Sequence, residues 1–249
     1  MQSPSAEELN AMTLQVGLVG SDGIVLASDR LVQVYENGSR SVTRTSKFLH
    51  GADALCCYSG DSVSEQTAYE IRDHDWSTVD SRDMEAVRSV LRDLGNAGYN
   101  KAQALYGVLP GIVRKVLAVH SDQLWLLTIS AQNTSLANQV LDRAVAGDIE
   151  NTSRYFMNKY ANQCESSSVS ELIRLAAYTI LAAGEENPHG VGGLELYAIP
   201  TGKRSILLSA AQEQELGTWF KKTAAFIQKK FATPFNYLRQ TPFEAYPGG

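Results

Sequence analysis

The chain has 249 residues, 44% of them hydrophobic and 20% charged, with a net charge of −5. That length suits one α/β sandwich or barrel with a large core, and the acidic balance gives no electrostatic support to a nucleic-acid or anionic-membrane role. Three cysteines, two of them adjacent at Cys56 and Cys57, argue against a disulfide framework and suit a reducing cytoplasm.

No run reaches the roughly 18 apolar residues of a membrane helix. The first eleven residues lack the basic and apolar regions of a signal peptide. Residues 14–18 alternate, and residues 24–27 form a short apolar run beyond the turn Ser21-Asp22-Gly23. A β-hairpin is therefore predicted. A second hairpin is predicted over 32–35 and 41–45, about Asn37-Gly38. Strands 47–50 and 54–58 follow. Asp61 or Ser62 can cap a helix that runs to about Asp73. Asp80 or Ser81 can cap the next, which carries Met84, Val87, Leu91 and Leu94 as one stripe and meets a stop at Gly95.

Further strands are expected over 112–118, 124–129 and 141–146, then helices over 149–160 and 169–183. Ser168 and Glu171 form a capping box for the latter, and Gly184 would end it. Strands 194–199 and 205–208 close the β pattern. A last helix, 213–231, carries Leu216, Trp219, Phe220, Thr223, Ile227 and Phe231 on one side. Strands and helices come in blocks rather than alternating. Two antiparallel sheets covered by helix pairs fit that order better than a parallel sheet.

Thr13 is the first candidate for chemistry. A lone threonine in a strand is ordinarily structural, but this one follows Met12. Threonine is small enough for an initiator methionine before it to be removed. A freed α-amine could then act as base for its own hydroxyl, with a reference pKa of about 7.7–8.0. Such an amine needs a nearby cation, and the cation needs a carboxylate. Lys47 and Asp29 fit if the strands fold them back; otherwise they are surface charges, and Asp29-Arg30 is a simple charge pair.

"YSGD", Tyr58 to Asp61, ends a strand and opens a helix. Unpaired amides there suit an oxyanion, and Gly60 lets a carbonyl approach; a plain helix cap is the alternative. "GEENPHGVGG" is a flexible connection or a site loop. Asp148 is most simply an N-cap. No histidine pairs with a serine or cysteine nucleophile, although Cys57 beside Tyr58 stays open. No Cys/His spacing reads as a metal site, and no cofactor is expected.

Four stretches taken in order, "TLQVGLVGSDGIVLASDR", "SKFLHGADALCCYSGD", "AVAGD" and "VGGLELYAI", resemble the proteasome family of N-terminal nucleophile (Ntn) hydrolases. The spacing of sixteen from Thr13 to Asp29 matches active β-type subunits. The resemblance is strongest to divergent bacterial proteasome homologues of the betaproteobacterial type. It implies an α+β fold: a four-layer αββα sandwich of two antiparallel sheets with an added C-terminal helix and tail.

By that resemblance Thr13 is nucleophile and base, Lys47 and Asp29 are its electrostatic partners, and Gly60 is the oxyanion donor. Tyr58 shapes the pocket for the residue before the cut. Val32 and Gln33 lie on the strand that pairs with substrate. The family's supporting serine and aspartate are absent. Asp148 stands at one of those places, and Glu186, among Glu185, Asn187 and Val191, at the other.

The implied protein is a cytoplasmic threonine endopeptidase. Its substrate is a peptide or unfolded protein. It forms homo-oligomeric stacked rings, a tetradecamer among the options, with an ATP-dependent unfoldase as a further partner. Residues 1–12 are then a leader or propeptide, 13–210 the hydrolase domain and 211–249 a helical extension. A non-catalytic α-like ring subunit and a small-amide hydrolase are the alternatives.

Overall fold

The computed structural model describes residues 13–36, 39–59, 61–109, 111–130, 134–147 and 164–232. Two five-stranded antiparallel sheets stack face to face. The first runs in the order β10 (Arg143–Gly147), β1 (Leu14–Gly20), β2 (Gly23–Ser28), β11 (Glu195–Pro200), β12 (Ile206–Leu207). The second runs β5 (Phe48–His50), β6 (Ala54–Tyr58), β7 (Arg114–His120), β8 (Gln123–Ile129), β9 (Ser135–Val140). A separate two-stranded ribbon, β3 (Leu31–Glu36) with β4 (Ser39–Arg44), adds to the two sheets expected. The fold is thus the α+β sandwich that the order of elements predicts.

Strand alternation explains the layers, because successive side chains face opposite ways. On the first sheet Leu14, Val16, Leu18, Val25, Ala27, Leu196 and Ala198 turn outward to helix α3 (Val169–Glu186). Ile24, Leu26 and Ile199 turn inward and meet Phe48, Leu55, Cys57, Leu117, Val119 and Leu124 of the second sheet. Ala54, Cys56, Val116, Ala118, Trp125, Leu127 and Ile129 then face helices α1 (Ser62–Asp73) and α2 (Met84–Tyr106). The interior strands β2 and β6 are buried along their whole length, so they read as near-continuous apolar runs.

Several boundaries differ from expectation for local reasons. Asp61 caps α1, accepting from the Val63 and Ser64 amides at 3.0 Å. Asp83, not Asp80 or Ser81, caps α2 by accepting from Glu85 and Ala86. Gly95 does not stop that helix. A Cβ there would meet Ser135 Oγ at 2.5 Å, so the glycine serves close packing of α2 on β9. The Ser168/Glu171 capping box of α3 is formed, but the helix continues past Gly184 to Glu186. Strand β9 is absent from the sequence-based scheme. It is an edge strand in which buried Ser135 and Ala137 alternate with exposed Leu136, a weak apolar signal.

The C-terminal helix α4 (Ala210–Ala232) lies against α3. Phe220 is buried, while Leu216 and Trp219 are half-buried. The predicted helix over 149–160 and the tail after Ala232 lie outside the described residues.

Candidate active site

The β1–β2 register gathers the first residues of the site. Gly20 pairs with Gly23 across the turn, and five rungs later Gln15 pairs with Ser28. The next position brings Asp29 alongside the start of β1. There the Asp29 N–H donates to the Leu14 carbonyl at 3.2 Å, and the Leu14 N–H donates to Asp29 Oδ1 at 3.0 Å. A tight turn and two matched strands therefore convert the sixteen-residue spacing into contact.

Lys47 reaches the same point from the other sheet. It stands just before β5, where its carbonyl accepts from the Tyr58 N–H at 3.1 Å. Its Nζ donates to Thr13 Oγ1 at 2.7 Å and to Asp29 Oδ1 and Oδ2 at 2.9 and 3.0 Å. Thr13, Asp29 and Lys47 are all 0% exposed. The Thr13 hydroxyl in turn donates to the Ser59 carbonyl at 2.7 Å. Asp29 also accepts from the Leu31 N–H at 2.9 Å, so its carboxylate is bonded from three directions.

Burial dominates the electrostatics. It pushes the Asp29 carboxyl up from its ordinary range, against the pull of the Lys47 charge and the hydrogen bonds. It pushes the Lys47 ammonium down, against the pull of Asp29. An ammonium made less basic in this way gives up a proton more readily than a surface lysine. The arrangement can hold a hydroxyl oxygen beside a cation and shift protons near it.

The loop after β6 is firmly built. Asp61 Oδ2 accepts from Ser59 Oγ at 2.5 Å and from Ser64 Oγ at 2.7 Å, and Arg114 Nε donates to Asp61 Oδ1 at 3.1 Å. The Ser59 carbonyl that meets Thr13 is thereby fixed. Gly60 itself lies outside the described residues, as does Asp148.

The remaining candidates scatter. Tyr58 is buried in the helix-facing core with Val63, Ala68 and Ile71, and burial pushes its hydroxyl up to about 12. Val32 and Gln33 lie on β3, opposite Thr43 and Val42 of the ribbon. Glu186 is exposed at the end of α3 and makes no hydrogen bond to Thr13, Asp29 or Lys47. Cys57 is fully buried and its thiol is pushed far up by desolvation. A thiol so held stays protonated, which weighs against the cysteine alternative.

Two contributors escaped the sequence reading. Ser28 Oγ donates to the Asp29 carbonyl at 3.0 Å and bolts the end of β2. Gly147 has φ +120°, and a Cβ there would lie 1.7 Å from the Thr13 carbonyl oxygen. Only glycine permits that approach. The signal was present, since Gly147 sits in "AVAGD", but only the β1–β10 pairing of Leu14 with Gly147 gives it meaning.

No protein-family model and no curated relative matches the chain. Solved structures do. Anbu, the ancestral beta-subunit, from Yersinia bercovieri is 12% identical, with 90% of this chain and 98% of that one covered at a TM-score of 0.66. A Gly-1 mutant of Anbu from Hyphomicrobium sp. strain MC1 is 12% identical, with 90% and 99% covered at a TM-score of 0.62. The helical assembly of the Anbu complex from Pseudomonas aeruginosa gives 14% identity, 90% and 98% coverage and a TM-score of 0.61. These likenesses correct the resemblance to the betaproteobacterial type of proteasome homologue, because Anbu is a distinct, proteasome-like family. Identity this low shows a shared fold, and the fold shared with Anbu is the Ntn-type sandwich.

Proposed function

We propose that the chain is a threonine-type peptidase subunit that cuts peptide bonds with Thr13 as its N-terminal residue. One observation carries the reading. Asp29, Lys47 and Thr13 Oγ1 form a continuous chain of contacts at 2.9 and 2.7 Å with no exposure to solvent. A buried ammonium on a threonine hydroxyl is costly to maintain for structure alone.

In the proposed cycle the α-amine freed at Thr13 takes the hydroxyl proton as Oγ1 attacks the substrate carbonyl. The C–N bond breaks, the proton passes to the leaving amine, and water hydrolyses the threonine ester. Lys47 keeps the amine unprotonated by its charge, and Asp29 holds Lys47. Gly60 is assigned the oxyanion N–H. Tyr58, Val32 and Gln33 are assigned to substrate contact. Asp148 keeps a supporting role in the proposal, and Glu186, exposed and remote in bonding, is left out.

Residues 1–12 act as a leader, 13–210 as the hydrolase domain and 211–249 as an extension. Self-assembly belongs to the same proposal. The Pseudomonas aeruginosa neighbour is described as a helical assembly, which supports self-association without choosing a closed ring over an open one. A cytoplasmic setting is consistent with three buried free cysteines, and an ATP-dependent feeder belongs to the proposal through the family resemblance alone. Among the described residues no helix is long and apolar enough to cross a membrane.

The test is N-terminal mass analysis of protein from its native host beside hydrolysis of a fluorogenic peptide. The active form should begin at Thr13, and Thr13→Ala should lose turnover by roughly a thousandfold or more. Peptide hydrolysis by protein that keeps residues 1–12 would overturn the mechanism.

A further inference from the structure

Arg30 links the C-terminal helix to the strand end that carries Asp29. Its Nη2 donates to Glu213 Oε1 at 2.9 Å, and its Nε lies 3.7 Å from Glu195 Oε2. Glu213 stands in the first turn of α4, and Glu195 opens β11 opposite Ser28. The backbone is held too. The Arg30 N–H donates to the Gly192 carbonyl at 2.9 Å, and the Arg30 carbonyl accepts from the Thr45 N–H at 2.9 Å. The two carboxylate side chains are 5% and 13% exposed, and the Arg30 side chain between them is 33% exposed, so a half-buried guanidinium meets two largely desolvated carboxylates.

Helix α4 has a second anchor of a different kind. Tyr178 of α3 meets the rings of Phe220 and Trp219 edge-on, at 5.3 and 6.3 Å. Apolar contact supplies adhesion but little direction. A planar guanidinium on carboxylates fixes distance and orientation. Arg30 therefore sets where α4 sits along its axis, and α4 sets where Arg30 points. The bend beside it is the one in which the Leu31 and Leu14 amides grip the Asp29 carboxylate.

We propose that Arg30 is a positioning residue which, with Glu213, couples the C-terminal helix to the Asp29 carboxylate and through it to Lys47 and Thr13. The effect on turnover rests on the threonine-peptidase reading; the geometric coupling does not. The full-length protein is compared with Glu213→Ala and Glu213→Gln by amide hydrogen exchange and by peptide hydrolysis. Exchange at Leu31 and Leu14 should quicken about tenfold in Glu213→Ala while amides of α2 keep their rates. Turnover should fall about tenfold, with KM within about twofold. Glu213→Gln keeps an oxygen acceptor for Arg30 and should recover most of both.

Unchanged exchange at Leu31 in Glu213→Ala overturns the coupling, whether or not the protein cuts peptides. Quickened exchange with unchanged kcat in an active protein overturns the positioning role, as does a rate loss that follows loss of the assembled species. Quickened exchange in a protein that hydrolyses no peptide supports the coupling and counts against the peptidase reading alone.

Discussion

Strand β5 has a lysine before one end and a histidine at the other, and the two ends differ in kind. Lys47 is wholly out of solvent and shared between Thr13 and Asp29. His50, three residues on, borders an open cleft of about 810 Å³ lined also by Asp53, Lys203, Arg204 and Ser205. Its contact, Nε2 to Ser205 Oγ at 2.9 Å, is exposed. The roomy end is a poor guide to chemistry. Charges there stay hydrated, and water competes for each of them. At the Lys47 end the charges have lost their hydration, so each depends on a specific partner. Perturbed charge, not volume, marks the candidate site.

The largest effect is expected at Lys47. Lys47→Met should reduce peptide turnover by roughly a hundredfold to a thousandfold. It should also cost about 3–5 kcal/mol of stability, because it strands the buried Asp29 carboxylate. Hydrolysis assays and urea denaturation read the two effects. Near-native turnover would show that the buried lysine is structural.

Gly147→Ala should come next. The added Cβ collides with the Thr13 carbonyl at a φ that side chains rarely adopt; the φ alone is a strain of about 1–3 kcal/mol, and the collision adds to it. Turnover should fall further than the melting temperature suggests, since the displaced atom belongs to Thr13. A variant with wild-type activity would mean that β1 and β10 yield freely there.

The pH dependence of stability sharpens the contrast more gently. Asp29 is raised above 3.8 by burial. The folded state then binds the proton more tightly than the unfolded chain, so this group's contribution is present at low pH and is lost as pH rises through the folded value. Lys47 is lowered below 10.5 by burial. Its contribution is present above that unfolded value and is lost as pH falls through the folded one. Denaturation midpoints from pH 4 to 10 should dip between the two windows, and Asp29→Asn/Lys47→Met should flatten the dip. An unchanged profile in the double variant would place the pH dependence elsewhere. The smallest effect belongs to the open end: His50→Ala should leave turnover within about twofold, because an exposed contact contributes little. A large loss would move the chemistry to the cleft.

Much of this was legible beforehand. Alternation in residues 14–18 and the Ser21-Asp22-Gly23 turn foretold the hairpin that joins Thr13 to Asp29. The α1 cap at Asp61 and the capping box at Ser168 followed from local hydrogen bonding, which short sequence patterns encode. Gly95 misled because glycine marks two situations, a helix stop and a tight helix–sheet contact, and sequence alone does not separate them. Strand β9 escaped because an edge strand with few apolar residues has little pattern to read.

Sequence by itself determined the first hairpin, the caps of α1 and α3 and the apolar faces, all of which depend on neighbours within a few residues. It also determined that Thr13 and Asp29 would meet, since one hairpin carries both. Only the tertiary structure decided that Lys47 completes the set. Lys47 belongs to the other sheet, and no local rule fixes how two sheets slide over one another. Their stacking is set by how Leu26, Phe48, Leu117 and Leu124 fill the space between them. That packing brings an ammonium to within 2.7 Å of a threonine oxygen while closing out the water that would otherwise weaken the contact.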